Sequence, residues 1–250
     1  MGRAKRKGWI AENPCADAEK VSVRRSESFN VLSIEQIRAV ARVAKTPQDA
    51  ALFGTAAFTG LRLGELLALR WRHVNFADRI LHVERNYVEG FEDSPKSHRR
   101  RSVPLSDQAL VALDSLSRRE HFTGADDLVF GTAAGEHRDG DQVRDRFYGA
   151  LDAAGLGHLR EQANPIVFHD LRHTFGTQCA AGGIDISRIK QWMGHADLAT
   201  TQRYLHFVPA HNDAARLTEA FGGAQLGTQN GTEPPTSSRS ERTQEHLAAP

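Results

Sequence analysis

The stretch Phe168–Thr177, FHDLRHTFGT, sets two histidines four residues apart, His169 and His173, with Arg172 between them. On an α-helix, positions i, i+3 and i+4 share a face, so the three side chains can converge on one object. That object is a metal ion, a phosphate, or only solvent and core. H-x-x-x-H is half of a zinc site. Zinc catalysis also takes a third protein ligand and usually a general base such as the Glu of H-E-x-x-H. Here Asp170 follows the first histidine, and Arg172 lies on the face between the two, where one cation repels another. No metal is expected.

Working outward, the stretch opens a helix, HDLRHTFGTQCAAGG, that stops at Gly182–Gly183. Upstream, DQVRDRFYGALDAAG reads as a helix ending at Gly155, and SDQALVALDSL as one capped by Ser106. Ser33 and Gln36 form a capping-box pair for LSIEQIRAVARVAK, whose Ile34, Ile37, Val40, Ala41 and Ala44 trace a helical stripe. Pro47 suits the first turn of a second helix that runs to a break at Gly60, and RLGELLALRW follows as a short helix. RILHVERNYVEG and RRSVPL read as two strands of a small antiparallel sheet joined by a loop containing EDSPKSH, and DLVF as a further short strand. Downstream, DISRIKQWMG, DLATTQRYLH and AHNDAARLTEAF read as helices. The fold class is therefore mainly α with a small antiparallel β-sheet (α+β), over about residues 30–221.

The 250 residues suffice for one sizeable domain, and 40% hydrophobic with 25% charged residues is ordinary for a globular chain. A net charge of +1 says nothing about an anionic partner, but RAKRK, VRR and the run Arg99, Arg100, Arg101 are local basic clusters. Two cysteines, Cys15 and Cys179, argue against a disulfide framework and fit a reducing, cytoplasmic setting. No apolar run reaches the roughly 18–20 residues of a membrane span, and no apolar segment follows the basic start as in a secretory signal. From Gly222 the chain is rich in Gly, Ser, Thr, Pro and Gln, and residues 222–250 read as a disordered tail.

Other polar residues stand at suggestive places. TGLRLGEL puts Arg62 just past a glycine break at a helix start, SPKSHRRRSVPL puts Lys96 in the hairpin loop, and MGHADLATTQRYLH holds His195 and Tyr204. Singly, each has a plainer reading. Arg62 pairs with a carboxylate, Lys96 is a solvated loop lysine, His195 is a cap, and Tyr204 is a core aromatic. In order, however, TGLRLGEL, HDLRHTFGT and GHADLATTQRYLH, with the looser PKSHRRRSVPL, resemble the tyrosine recombinase (phage integrase) family. The resemblance covers roughly residues 30–221 and implies that family's catalytic-domain fold.

The resemblance also implies the chemistry. A site-specific recombinase transfers a DNA phosphodiester to a tyrosine and back through a 3′-phosphotyrosyl intermediate, here for integration or excision of a mobile element. Arg62, Arg172 and His195 would hold the non-bridging oxygens of the phosphorane, a task suited to guanidinium forks. Tyr204 would be the nucleophile, His169 its base with a reference pKa near ~6.5, and Lys96 the general acid for the departing 5′ oxygen. Glu65 and His173 would support, Glu65 by orienting Arg62 or a neighbouring base. Arg99, Arg100 and Arg101 would favour a deprotonated Lys96 or grip the DNA backbone. No cofactor and no metal are implied.

The implied partners are double-stranded DNA, a homo-tetramer on two duplexes, and accessory DNA-bending or directionality proteins, with no membrane. AHNDAARLTEAF would dock on a neighbouring protomer or fold back on its own domain. Residues 1–27 would stand for the last helix and linker of the family's N-terminal core-binding domain, ahead of a catalytic domain at 28–221. Two other readings are a type IB topoisomerase-like nicking–closing enzyme and a DNA-binding relic without recombination activity.

Overall fold

Ser33 and Gln36 make the reciprocal cap expected of them. Gln36 N–H donates to Ser33 Oγ (3.2 Å) and Ser33 N–H to Gln36 Oε1 (2.8 Å), starting α1 (Ile34–Arg42). The computed structural model describes residues 5–12, 29–93 and 100–207. Lys96, Arg99, the helix expected at AHNDAARLTEAF, the tail and most of residues 1–27 lie outside the described residues.

α2 (Pro47–Thr59) begins with Thr46 Oγ1 accepting from Asp49 N–H (3.1 Å) and proline in its first turn. It is buried on nearly all sides, through Ala51, Leu52, Phe53, Ala56 and Ala57, and packs against α1, α4 (Asp107–Ser117) and α6 (Asp170–Ala181). Phe53, Phe147 on α5 (Gly140–Ala153) and Phe168 meet edge to face at 5.4–6.3 Å. Buried Asp49 ties α2 to α5 and the loop before it, taking Arg138 at 2.6 Å and Arg146 at 2.9 Å.

The expected sheet is present, with more detail than the sequence suggested. β1 (Val74–Asn75), β2 (Ile80–Val83) and β5 (Arg101–Pro104) form an antiparallel sheet in the order β1-β2-β5. β2 and β5 pair in the register Leu81↔Val103 and Val83↔Arg101. The single strand read at RILHVERNYVEG is broken after Val83. Its second half, β3 (Asn86–Val88), makes a separate hairpin with β4 (Phe91–Asp93). DLVF contributes only one bridge, Leu128 to Arg70, flanked by Val129 N–H donating to Leu69 O and Trp71 N–H to Asp127 O. Arg119 alone donates to the carbonyls of Phe122, Leu128 and Val129.

Three short helices complete the site. α3 (Leu63–Leu67) follows Arg62, α7 (Ile186–Met193) is capped by Asp185, and α8 (Ala199–Gln202) ends before Tyr204. The helix read over DLATTQRYLH is thus shorter than expected, and Tyr204 sits in the turn between α8 and a 3₁₀ turn at Leu205–Phe207. Among the described residues, no helix is long and apolar enough to cross a membrane.

Candidate active site

The C-terminal carbonyls of α7 gather three arginines. Arg101 Nε donates to Trp192 O at 2.7 Å, Arg172 Nη2 to Met193 O, and Arg62 Nη2 to Gly194 O at 3.2 Å. The last carbonyls of a helix lack partners within it and form the negative end of its dipole, so cations settle there. Arg172 also donates through Nη1 to Gly60 O. Gly60 closes α2 with φ +65°, and a Cβ there would lie 2.4 Å from the Phe175 ring. Only glycine satisfies both conditions, which is why a glycine precedes Leu61–Arg62.

One carboxylate sits among these cations. Glu65, 3% exposed, takes Arg101 in a bidentate pair at 2.8 and 2.6 Å, Arg62 Nη1 at 3.0 Å and the Arg62 backbone N–H at 2.8 Å. Burial alone would raise its carboxyl, but Arg101's hydrogen bonds and charge, then Arg62's, hold it at about 2. Three guanidiniums against one carboxylate leave an excess of positive charge. Arg172 is 2% exposed, while the Arg62 side chain keeps 33% exposure. Burial, then Arg62's charge, push Arg172 down to about 9, where it is still cationic near neutrality. The arrangement suits an anion with several oxygens.

The family model described as the phage integrase family matches residues 30–211. The chain belongs to the phage integrase family. A tyrosine recombinase XerC of Pelobacter propionicus is 30% identical over 212 residues, which are 80% of this chain and 63% of that protein. The crystal structure of XerA recombinase superposes with a TM-score of 0.59 at 25% identity, covering 80% of this chain and 66% of that one. The Tn1549 transposon integrase, in a complex with circular-intermediate DNA, has a TM-score of 0.61 at 20% identity over 88% of this chain and 75% of that one, a likeness of fold. The match spans 61%, 49% and 63% of the length of three curated relatives.

In this integrase-family domain, the residues expected from sequence fall into two adjoining groups. Arg62, Glu65, Arg172 and His195 surround the end of α7. His195 follows Gly194 directly, and its Nδ1 lies 2.8 Å from Thr201 Oγ1. His169 is the N-cap residue of α6, one turn before His173, and the two rings meet edge to face at 5.1 Å. Tyr204 is 0% exposed. Its ring lies on Gly176, where a Cβ would come within 2.5 Å. Its hydroxyl is 2.8 Å from His173 Nδ1.

One expectation needs correction. Arg101 is not a surface residue free to grip DNA, since its guanidinium is buried between Glu65 and Trp192. The sequence signal was there to read. Along β5 and just past it, Arg101, Val103 and Leu105 alternate inward, and all three are buried. Arg100, by contrast, is exposed, with its Nη1 3.7 Å from Glu84. His173, given a supporting role, is the one that touches the Tyr204 hydroxyl, and the plainer readings of Arg62 as a carboxylate partner and Tyr204 as a core aromatic both describe this arrangement.

The titrations follow from this packing. Burial of its ring, then the charges of Arg172 and Arg62, push His169 to about 4, although the residue as a whole is exposed. Burial, then Arg172 and Arg62, push His195 to about 3. Burial, then His169 and Arg203, push His173 to about 3. All three imidazoles are neutral at pH 7, well below the ordinary value carried into the sequence reading. Burial raises Tyr204 to about 12, partly offset by Arg172 and Arg203. With His173 neutral, the phenol O–H donates to Nδ1.

Proposed function

We propose that this domain cleaves and rejoins DNA as a site-specific recombinase through a 3′-phosphotyrosyl intermediate. The observation that carries the reading is the cluster of Arg62, Arg172 and His195 around the end of α7, cationic in excess of its single carboxylate. Arg62 and Arg172 bind the two non-bridging oxygens of the scissile phosphate. The Thr201 hydroxyl donates to His195 Nδ1, which leaves the hydrogen on Nε2 for a third contact. The Tyr204 Oη attacks phosphorus, the bond from phosphorus to the 5′ oxygen breaks, and the 3′ phosphate stays on the tyrosine. Once Tyr204 has left His173, neutral His169 takes the phenol proton, and Lys96 protonates the 5′ oxygen. Attack by a 5′ hydroxyl reverses the steps. Relatives named tyrosine recombinases support DNA as substrate, and the proposal extends to a tetramer spanning two duplexes and to service to a mobile element.

In the resting arrangement Tyr204 has no exposed surface, so it must leave Gly176 and His173 before it reaches a phosphate. A duplex nicked beside the cleavage point, which loses its 5′ fragment and traps the adduct, tests the reading. The wild-type chain is expected to become covalently linked to DNA, and Tyr204→Phe to form no link. Arg172→Ala should slow linkage by on the order of 10²–10³, as for loss of one donor to developing oxyanion charge. No adduct across a broad pool of duplexes, or an adduct that persists in Tyr204→Phe, overturns the reading. Transfer of the trapped strand to a second duplex, rather than simple relaxation of supercoils, separates a recombinase from a nicking–closing enzyme.

A further inference from the structure

Phe29 lies ahead of α1, outside every motif read from the sequence. Its ring stacks on His173 (4.5 Å between centroids, 23° between planes) and meets Tyr204 edge-on (5.6 Å, 69°). Phe207 is 6.0 Å away, and the Arg203 guanidinium lies over the Phe29 ring at 5.9 Å. Phe29 therefore touches Tyr204, its pair His173, and residues on both sides of Tyr204. It is itself half-buried and packs against the main core. Its ring packing is concentrated on the nucleophile's segment.

The backbone around Phe29 is strapped to α6. Asn30 N–H and Nδ2 donate to the Asp170 carboxylate (3.3 and 3.4 Å), Asn30 Nδ2 also to Asn164 O (3.1 Å), and Leu32 N–H to Thr174 Oγ1 (3.1 Å). α6 supplies His173 and the Gly176 floor. Residues 29–32 supply the wall. A hydrogen bond open to water is exchanged for one to solvent at little net cost, whereas breaking a sealed one strands both partners. We propose, building on the reading of Tyr204 as nucleophile, that Phe29 is a positioning residue. It seals the His173–Tyr204 hydrogen bond and holds Tyr204 in its resting seat, so that the placement of residues 29–32 sets how much Tyr204 is free to reach DNA. A nucleophile competent only when unseated reacts in proportion to its unseated fraction.

The test uses the full chain with Phe29→Ala, Phe29→Tyr and Asn30→Ala. Nitration of tyrosine by tetranitromethane, mapped by mass spectrometry, reads exposure of Tyr204 with Tyr87 and Tyr148 as internal references. Linkage to the nicked duplex at saturating protein reads reactivity. Phe29→Ala should raise Tyr204 nitration by roughly three- to ten-fold, the range expected for one or two lost aromatic contacts. It should speed linkage by a similar factor with duplex affinity unchanged. Phe29→Tyr, which keeps the stacked ring, should return both to wild type. Should Phe29→Ala not fold, Asn30→Ala loosens the strap without touching the core and should move nitration the same way. A folded Phe29→Ala with Tyr204 as protected as before, or with faster nitration but slower linkage, overturns the proposal. If no form of the chain links to DNA, the nucleophile reading fails separately, and nitration still decides whether Phe29 seats Tyr204.

Discussion

Glu65 is a single buried charge held between two guanidiniums, and its energetics depend on both. Taking a carboxylate out of water is costly, and a bidentate partner with further donors offsets it. Replacing it with glutamine leaves Arg101 buried without its countercharge and frees Arg62 to swing. Glu65→Gln should lower unfolding stability by about 3–5 kcal/mol, the range for breaking a buried pair, read from urea denaturation. A loss under 1 kcal/mol would mean that water already reaches the pair. The role of Glu65 in orienting Arg62 was readable from a spacing of one helical turn. That of Arg101 was missed because three arginines in a row look like a solvated run, and the inward alternation of β5 was not applied to its first residue.

Elements rather than residues bring the motifs together. α7 ends in three carbonyls, from Trp192 to Gly194, each engaged by a different arginine, and α2 ends at Gly60, whose carbonyl receives Arg172. The two helix ends therefore set the spacing between the guanidiniums. Gly60→Ala must be accommodated at φ +65° against Phe175, a strain of order 1–3 kcal/mol. It should lower the melting temperature and slow DNA linkage more than it weakens duplex binding, because buried Arg172 moves while the surface cations do not. Equal losses in linkage and binding would argue that Gly60 matters only for stability. Several helix starts were legible, from the caps Ser33 and Ser106 and from Pro47 in a first turn. The ends of the short helices were not, since α3 and α8 are held by tertiary contacts instead of by propensity.

Over the whole molecule, the site gathers ionisable groups whose charge states the fold dictates. His169, His173 and His195 titrate at about 4, 3 and 3 in the folded protein, against ~6.5 unfolded. Below ~6.5 the unfolded chain binds more protons than the folded one, so stability is fully present above that value and falls as pH drops toward the folded values. Glu65, at about 2 folded and ~4.3 unfolded, contributes above ~4.3 and loses its contribution between there and 2. The urea midpoint should thus be level above pH 7 and decline from pH 6.5 to 4, with a shallower decline in His173→Gln. A midpoint that holds or rises on acidification to pH 5 would show the histidines to be already charged in the folded protein.

The helices, their caps and the small sheet follow from periodicity and turn residues, which are properties of neighbours along the chain, and the ordered series Arg62, His169, Arg172, His195 and Tyr204 follows from the resemblance of its motifs to the phage integrase family. Which carbonyl each arginine docks on, that Arg101 turns inward to Glu65, and that Tyr204 rests on His173 and Gly176 under Phe29 do not. Those contacts join residues far apart in sequence, and their geometry depends on how α2, α6 and α7 pack and on which polar groups burial leaves in need of a partner. The same packing moved the histidines from ordinary bases to neutral imidazoles, because desolvation and nearby cations exist only once the chain has folded.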